Sequence, residues 1–185
     1  MAGIICIETE WQITKKRNRL TLNSEHLLHF ISEMYNVPYI YRRVATRSEL
    51  LFYLRQFQKT EYNKYNVLYF SFHGDTHSIY LEGENKEVTL EELAEMGGNV
   101  FADRLVHFSS CRTFLGNIQV ADMFKHQSNA KYVSGYRKTV PADVSAIHDI
   151  ALIGTYLNCK RPALAFKKVG NQFKELQSQL GFVYI

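Results

Sequence analysis

No stretch of this sequence approaches the ~18 uninterrupted apolar residues that a membrane-spanning helix needs. Cysteine is sparse. Cys6, Cys111 and Cys159 are odd in number, far apart and without CxxC spacing, so neither a disulfide framework nor a zinc site is indicated. Glycine-rich phosphate loops are missing as well. Where a dinucleotide-binding turn would place glycines after the first strand, the chain carries Glu8-Thr9-Glu10, which would repel phosphate, and no P-loop motif occurs. The apolar start Met1-Ala2-Gly3-Ile4-Ile5-Cys6 lacks a basic leader and meets Glu8 and Glu10 too soon to read as a signal peptide. Internal repeats, low-complexity tracts and linkers are absent. These absences lead us to expect a protein of the reducing cytoplasm with no membrane association, no metal and no cofactor.

What remains is an ordinary globular composition. At 185 residues, 46% hydrophobic and 22% charged, the chain can bury a full core as one domain, residues 1–185. The net charge of +4 is mild and owes much to the cluster Lys15-Lys16-Arg17-Asn18-Arg19. That cluster reads as a solvated loop. A nucleic-acid platform would interleave aromatic residues with its cations, and this pattern is missing, so nucleic acid is not an expected partner.

Apolar runs and helical periodicities alternate along the chain. Gly3 to Glu8 reads as a buried strand. Thr21 to Asn36 carries Leu27, Leu28, Ile31 and Met34 at helical spacing, with N-cap oxygens at Asn23 and Ser24 and a stop at Pro38. Tyr39 to Val44 is a second strand, and Thr46 with Glu49 makes a capping box that opens a helix through Phe57. After the Val67 to Phe72 strand, Ser78 to Leu81 and Glu87 to Leu90 flank a hairpin turn. Thr89 with Glu92 then caps a short helix ended by Gly97-Gly98. A strand at Arg104 to Ser110, a helix at Asn117 to Gln127 and a strand at Lys131 to Gly135 follow. Helices from Pro141 to about Tyr156 and from Arg161 to Leu180 precede a last strand, Phe182 to Ile185. This alternation predicts a three-layer α/β/α fold with a mainly parallel sheet of about six strands and a small β-hairpin after the third.

Two of these strands end in chemically capable groups. Val67-Leu68-Tyr69-Phe70-Ser71-Phe72 runs into His73-Gly74-Asp75, and Arg104-Leu105-Val106-His107-Phe108 runs into Ser109-Ser110-Cys111. In an open α/β sheet the carboxyl ends of the strands form the crevice where ligands bind. Cysteine is a strong nucleophile only as a thiolate, so it needs a neighbouring base or a positive environment. His73 is the candidate base and Cys111 the candidate nucleophile, with the amino end of the helix from about Asn117 adding positive potential. The backbone N–H groups of Gly74 and Cys111 are candidate oxyanion donors. Gly74 also lacks a Cβ that would obstruct an approaching substrate backbone. His77, four residues past His73, is a candidate substrate contact. The plain alternative makes Cys111 one more buried small residue and His73 a hydrogen-bonded loop histidine, and periodicity alone does not separate the two. Cys6 on a strand and Cys159 on a helix read as packing, and His107 as half-buried within its strand. A phosphatase loop is excluded, because the arginine it needs six positions after the cysteine is Asn117 here.

An apolar strand ending in His-Gly, then a hairpin and short helix, then an apolar strand ending in Ser-Cys, resembles the pattern of caspase-like cysteine peptidases. Among these it is most similar to the CHAT branch, relatives of caspases and separase found widely in bacteria. The likeness covers roughly residues 65 to 170, including Ile79-Tyr80-Leu81, Val88-Thr89-Leu90-Glu91-Glu92-Leu93, Ser109-Ser110-Cys111-Arg112-Thr113 and Ala130-Lys131-Tyr132-Val133-Ser134-Gly135. Phe72 stands where many CHAT proteins have glycine, and Ser110 where they have alanine.

The resemblance implies a His73–Cys111 dyad that cleaves a protein or peptide substrate through an acyl-enzyme. It further implies a role in stress, defence or cell-death signalling, under the control of a regulatory partner or activator. A P1 pocket built partly by Tyr136 to Asp143 is implied too. There Asp143 either pairs with a basic P1 side chain or merely complements the start of its helix. Arg137 and Lys138, near the same mouth, would favour an acidic P1 residue instead. The other reading of the likeness is a catalytically inactive caspase-like interaction module.

Overall fold

A computed structural model describes residues 2–9, 13–14, 17–18 and 23–185. β1 (Gly3–Thr9) is followed by the two-strand ladder of β2 (Ile13–Thr14) and β3 (Arg17–Asn18), then α1 (Glu25–Tyr35), β4 (Tyr39–Val44) and α2 (Arg47–Gln56). Next come β5 (Tyr65–Ser71), the short strands β6 (His73–Asp75), β7 (Ser78–Tyr80) and β8 (Val88–Thr89), and α3 (Leu90–Gly97). The chain continues through β9 (Leu105–Phe108), α4 (Gln119–Ser128), β10 (Tyr132–Tyr136), α5 (Ala142–Asn158), α6 (Ala163–Gln172), α7 (Lys174–Leu180) and β11 (Phe182–Tyr184).

Six strands build the main sheet in the order β11-β10-β9-β5-β1-β4, parallel throughout except for β11. A parallel sheet covered on both faces calls for continuous apolar strands rather than alternating ones. β1 is buried along its whole length. Ile5, Ile7, Leu68, Phe70, Val106 and Phe108 join a core with residues of α2, α3 and α4. Their neighbours Ile4, Cys6, Val67, Tyr69 and Leu105 join a second core with residues of α1, α5 and α6. The three-layer α/β/α arrangement expected from the alternation is the one that forms.

Three local features differ from expectation. The hairpin is a three-stranded antiparallel sheet, because β6 pairs with β7 as well as β7 with β8. The last long helix is two, α6 and α7, broken at Phe173, whose backbone leaves the helical region at φ −125°, ψ 35°. Gly170 and Asn171, just before the break, are weak helix formers. Ser24 precedes α1 without capping it by its side chain, and its hydroxyl instead lies within hydrogen-bonding reach of Glu8 and Ser71. Thr21 and Leu22, where that helix was expected to begin, lie outside the described residues, as do Lys15, Lys16 and Arg19 of the basic cluster.

Both capping boxes form. The Glu49 N–H donates to Thr46 Oγ1 at 3.3 Å and the Thr46 N–H to the Glu49 carboxylate at 3.0 Å. Thr89 and Glu92 repeat the exchange at 3.1 and 3.0 Å. Thr46→Ala is expected to cost about 1 kcal/mol, seen as a lowered urea midpoint, while Thr46→Asp keeps most of the stability. Equal losses in both variants would mean that the box contributes nothing.

Candidate active site

β5 and β9 lie side by side with Phe70 opposite Phe108, and the Ser109 N–H donates to the Phe70 carbonyl at 2.8 Å. His73 and Cys111 each follow their member of that pair by three residues, so both leave the same edge of the sheet. The Cys111 loop packs hard against β6. A Cβ built on Gly74 would stand 2.3 Å from the Cys111 carbonyl oxygen and 2.7 Å from Thr113 Oγ1. Glycine is therefore required at 74 by the Cys111 loop itself, where the sequence had pointed to an incoming substrate backbone. Backbone bonds fix the loop from both sides: His77 N–H to Thr113 O at 3.2 Å, Arg112 N–H to Lys138 O at 3.0 Å and Phe114 N–H to Tyr136 O at 3.1 Å. Gly74→Ala should lower stability by about 1–3 kcal/mol through this overpacking, read as a lower melting temperature. A melting temperature equal to that of the parent chain would show that the loop has room to move.

The two strand ends open into one cavity of about 570 Å³, lined by His73, Gly74 and Cys111 together. His73 is exposed and Cys111 half-buried. The Cys111 sulfur accepts from the Val140 N–H at 3.4 Å and lies 3.7 Å from the Val140 carbonyl. Val140 directly precedes Pro141, the N-cap of α5. The positive helix end beside the thiol is thus that of the 17-residue α5. α4, the helix the sequence named for this role, begins at Gln119.

Of the expected substrate contacts, Asp143 in the first turn of α5 lines the cavity, while His77 and Arg137 do not. His77 sits between β6 and β7 at φ 59°, a left-handed conformation that histidine tolerates better than most residues. Its backbone ties that turn to Thr113 and Leu90. Arg137 reaches the Gly116 carbonyl at 2.9 Å, and Lys138 the Ser178 carbonyl at 2.8 Å. Cys6 is fully buried, and its thiol is pushed up by burial and by the Glu8 charge. Cys159 stands just past α5 rather than within it, its sulfur 3.1 Å from the Arg161 carbonyl.

Two polar centres beside the cavity escaped the sequence reading. The first is Asp149 on α5, fully buried with His107 and His148. Its Oδ1 meets His107 Nε2 at 2.8 Å and the Tyr136 hydroxyl, and its Oδ2 accepts from Tyr69 and Ser109, each at 2.7 Å. His107 Nδ1 reaches Ser134 Oγ at 2.8 Å, and the Tyr136 hydroxyl is 3.0 Å from His148 Nδ1. Burial alone would raise the Asp149 carboxyl. The His107 charge and the hydrogen bonds from His107 and His148 outweigh burial and hold it well below the usual carboxylate range. The Tyr69 and Tyr136 phenols are pushed up by burial and by the Asp149 charge, so each keeps its proton. His107 is thus not half-buried, because α5 covers its strand completely.

The second centre is Glu8, 1% exposed at the end of β1 and on the cavity wall. Its Oε1 accepts from the Ser24 N–H at 2.9 Å, Ser24 Oγ at 2.8 Å and Ser71 Oγ at 3.1 Å, and its Oε2 from the Tyr41 hydroxyl. The sequence did carry a signal for each centre. A carboxylate closes an otherwise apolar strand, and His148-Asp149 interrupts an apolar helix face. Buried charges of this kind demand partners.

Among the described residues no cluster of His, Cys, Asp and Glu could hold a metal ion. No helix among them is long and apolar enough to cross a membrane. A model of the family of unknown function DUF6642 matches residues 2–182. No curated protein matches the chain.

Proposed function

The chain belongs to the DUF6642 family, and we propose that it is a small cysteine endopeptidase working through His73 and Cys111. The observation that carries this reading is the shared cavity. Two adjacent parallel strands deliver a histidine and a half-buried cysteine to one opening, beside the amino end of α5. The resemblance to caspase-like peptidases adds the reaction class.

In this reading His73 takes the Cys111 thiol proton, and the Val140 N–H and the α5 terminus favour the resulting thiolate. The sulfur attacks the scissile carbonyl carbon, forming a C–S bond and a tetrahedral oxyanion. The N–H groups of Gly74 and Cys111 would receive that oxyanion. Among the described residues no acceptor takes the Cys111 N–H, which supports this role. Collapse breaks the C–N bond, and the His73 imidazolium gives its proton to the departing amine. Water, deprotonated by His73, then attacks the thioester, releasing the carboxylic acid and restoring the thiol.

The test is mass spectrometry of new amino termini after a mixture of denatured proteins is incubated with the full chain under reducing conditions. Termini that appear with the parent chain and vanish with Cys111→Ala are expected. A terminus pattern indistinguishable between the two would sink the peptidase and favour an interaction module.

A further inference from the structure

The loops that carry His73 and Cys111 meet at three successive points. Gly74 lies against the Cys111 carbonyl, Asp75 faces Arg112, and the His77 N–H donates to the Thr113 carbonyl at 3.2 Å. The first and last contacts are made by backbone. The middle one is made by side chains, with Arg112 Nε 3.3 Å from Asp75 Oδ1. Asp75 ends β6 two residues past His73, Arg112 directly follows Cys111, and both line the cavity. Each is also anchored at its own end of the pair. Asp75 Oδ1 accepts the Thr76 N–H at 2.8 Å, and the Arg112 N–H donates to the Lys138 carbonyl at 3.0 Å. Arg112 adopts φ 55°, a left-handed backbone that glycine would take at less cost. What arginine adds at this position is its guanidinium, and Asp75 is that group's polar partner among the described residues.

We infer that Asp75 and Arg112 are positioning residues, an ion pair that clips the histidine loop to the cysteine loop and sets the separation of His73 and Cys111. The inference rests on the His73–Cys111 dyad of the peptidase reading, and it holds whatever substrate that dyad acts on. The two side chains are 45% and 44% exposed, and pairs this exposed add little to global stability. Their effect is local, since a displacement of about 1 Å between reacting groups can cost about a hundredfold in rate. Charges acting merely through space would move the thiol in opposite directions. Loss of the Asp75 carboxylate would favour the thiolate, and loss of the Arg112 guanidinium would disfavour it. A clip makes both losses act the same way.

The probe is iodoacetamide, small and uncharged, with the alkylation rate of Cys111 in the full chain followed by peptide mapping at pH 7. Asp75→Asn keeps an oxygen for the Thr76 N–H, and Arg112→Gln keeps a long polar side chain without the charge. Each should slow alkylation of Cys111 by about five- to tenfold, with melting temperatures within about 3 °C of the parent. The double variant should be no slower than the slower single one. Arg112→Lys should recover most of the rate, and Asp75→Asn should change nothing in a His73→Ala background. An Asp75→Asn chain that reacts as fast as the parent or faster, or losses that add in the double variant, overturns the inference. The release of new amino termini from denatured proteins separates the two claims. Release by the parent, with Asp75→Asn alkylated at the parent rate, refutes the clip and leaves the peptidase standing. No release by the parent, with both single variants slowed and the double no slower, refutes the peptidase and supports the clip.

Discussion

His73→Ala should lower kcat/KM on a cleaved peptide by about 10²–10⁴-fold, the range for loss of a positioned general acid–base group. Cys111→Ala should leave only background hydrolysis, since no other thiol on the cavity wall replaces it. The two losses should not add. The double variant is expected to be no worse than Cys111→Ala, because base and nucleophile act as a unit. Neither change should disturb the fold, as His73 is exposed and Cys111 half-buried at the rim of the sheet. Kinetics of the three variants on one peptide, with thermal melts as control, measure this directly. Hydrolysis by His73→Ala at the parent rate would remove the histidine from the mechanism.

Asp149→Ala should be the most damaging single change to stability, at about 3–5 kcal/mol. It strands the buried His107 and takes the acceptor from Tyr69, Ser109 and Tyr136 at once. Domains of this kind have total stabilities of about 5–15 kcal/mol, so the loss is a large fraction of the whole. The melting temperature should fall by roughly 10 °C. Asp149→Asn keeps the shape and one acceptor oxygen and should lose less. The pH dependence follows from the depressed carboxyl. The unfolded chain binds the proton more tightly than the folded one. The stabilisation is therefore complete above the unfolded carboxylate value of about 3.9 and drains away as pH falls below it. Urea midpoints of the parent and Asp149→Asn chains should converge toward low pH. Parallel curves between pH 7 and pH 3 would mean that the network carries no net charge interaction.

The sheet was legible because its strands are short, mostly apolar and punctuated by capping signals. β4 (Tyr39–Val44) and the Thr46–Glu49 and Thr89–Glu92 boxes appear where local chemistry places them. The break at Phe173 was harder to read, since a glycine and an asparagine within a periodic stretch weaken a helix without dictating where it ends. Strand ends brought His73 and Cys111 into view, and the sheet order does make their strands neighbours. What periodicity cannot convey is which helix arrives over that edge. The segment leading into α5 presents Val140 to the thiol, and α5 itself presents Asp149 to the strands. Glu8 and Asp149 stayed hidden for the same reason. The partners of each, Ser24, Ser71 and Tyr41 for Glu8 and Tyr69 and Ser109 for Asp149, are distant in sequence and look like ordinary polar residues one by one.

The central claim is that Cys111 is a nucleophile activated by His73. Intact-mass and peptide mapping after brief exposure to an electrophilic peptide probe test it most directly. Modification of Cys111 alone, with Cys6 and Cys159 untouched and the rate falling at least about tenfold in His73→Ala, is the predicted result. A Cys111 that stays unmodified, or that reacts equally fast without His73, would contradict it.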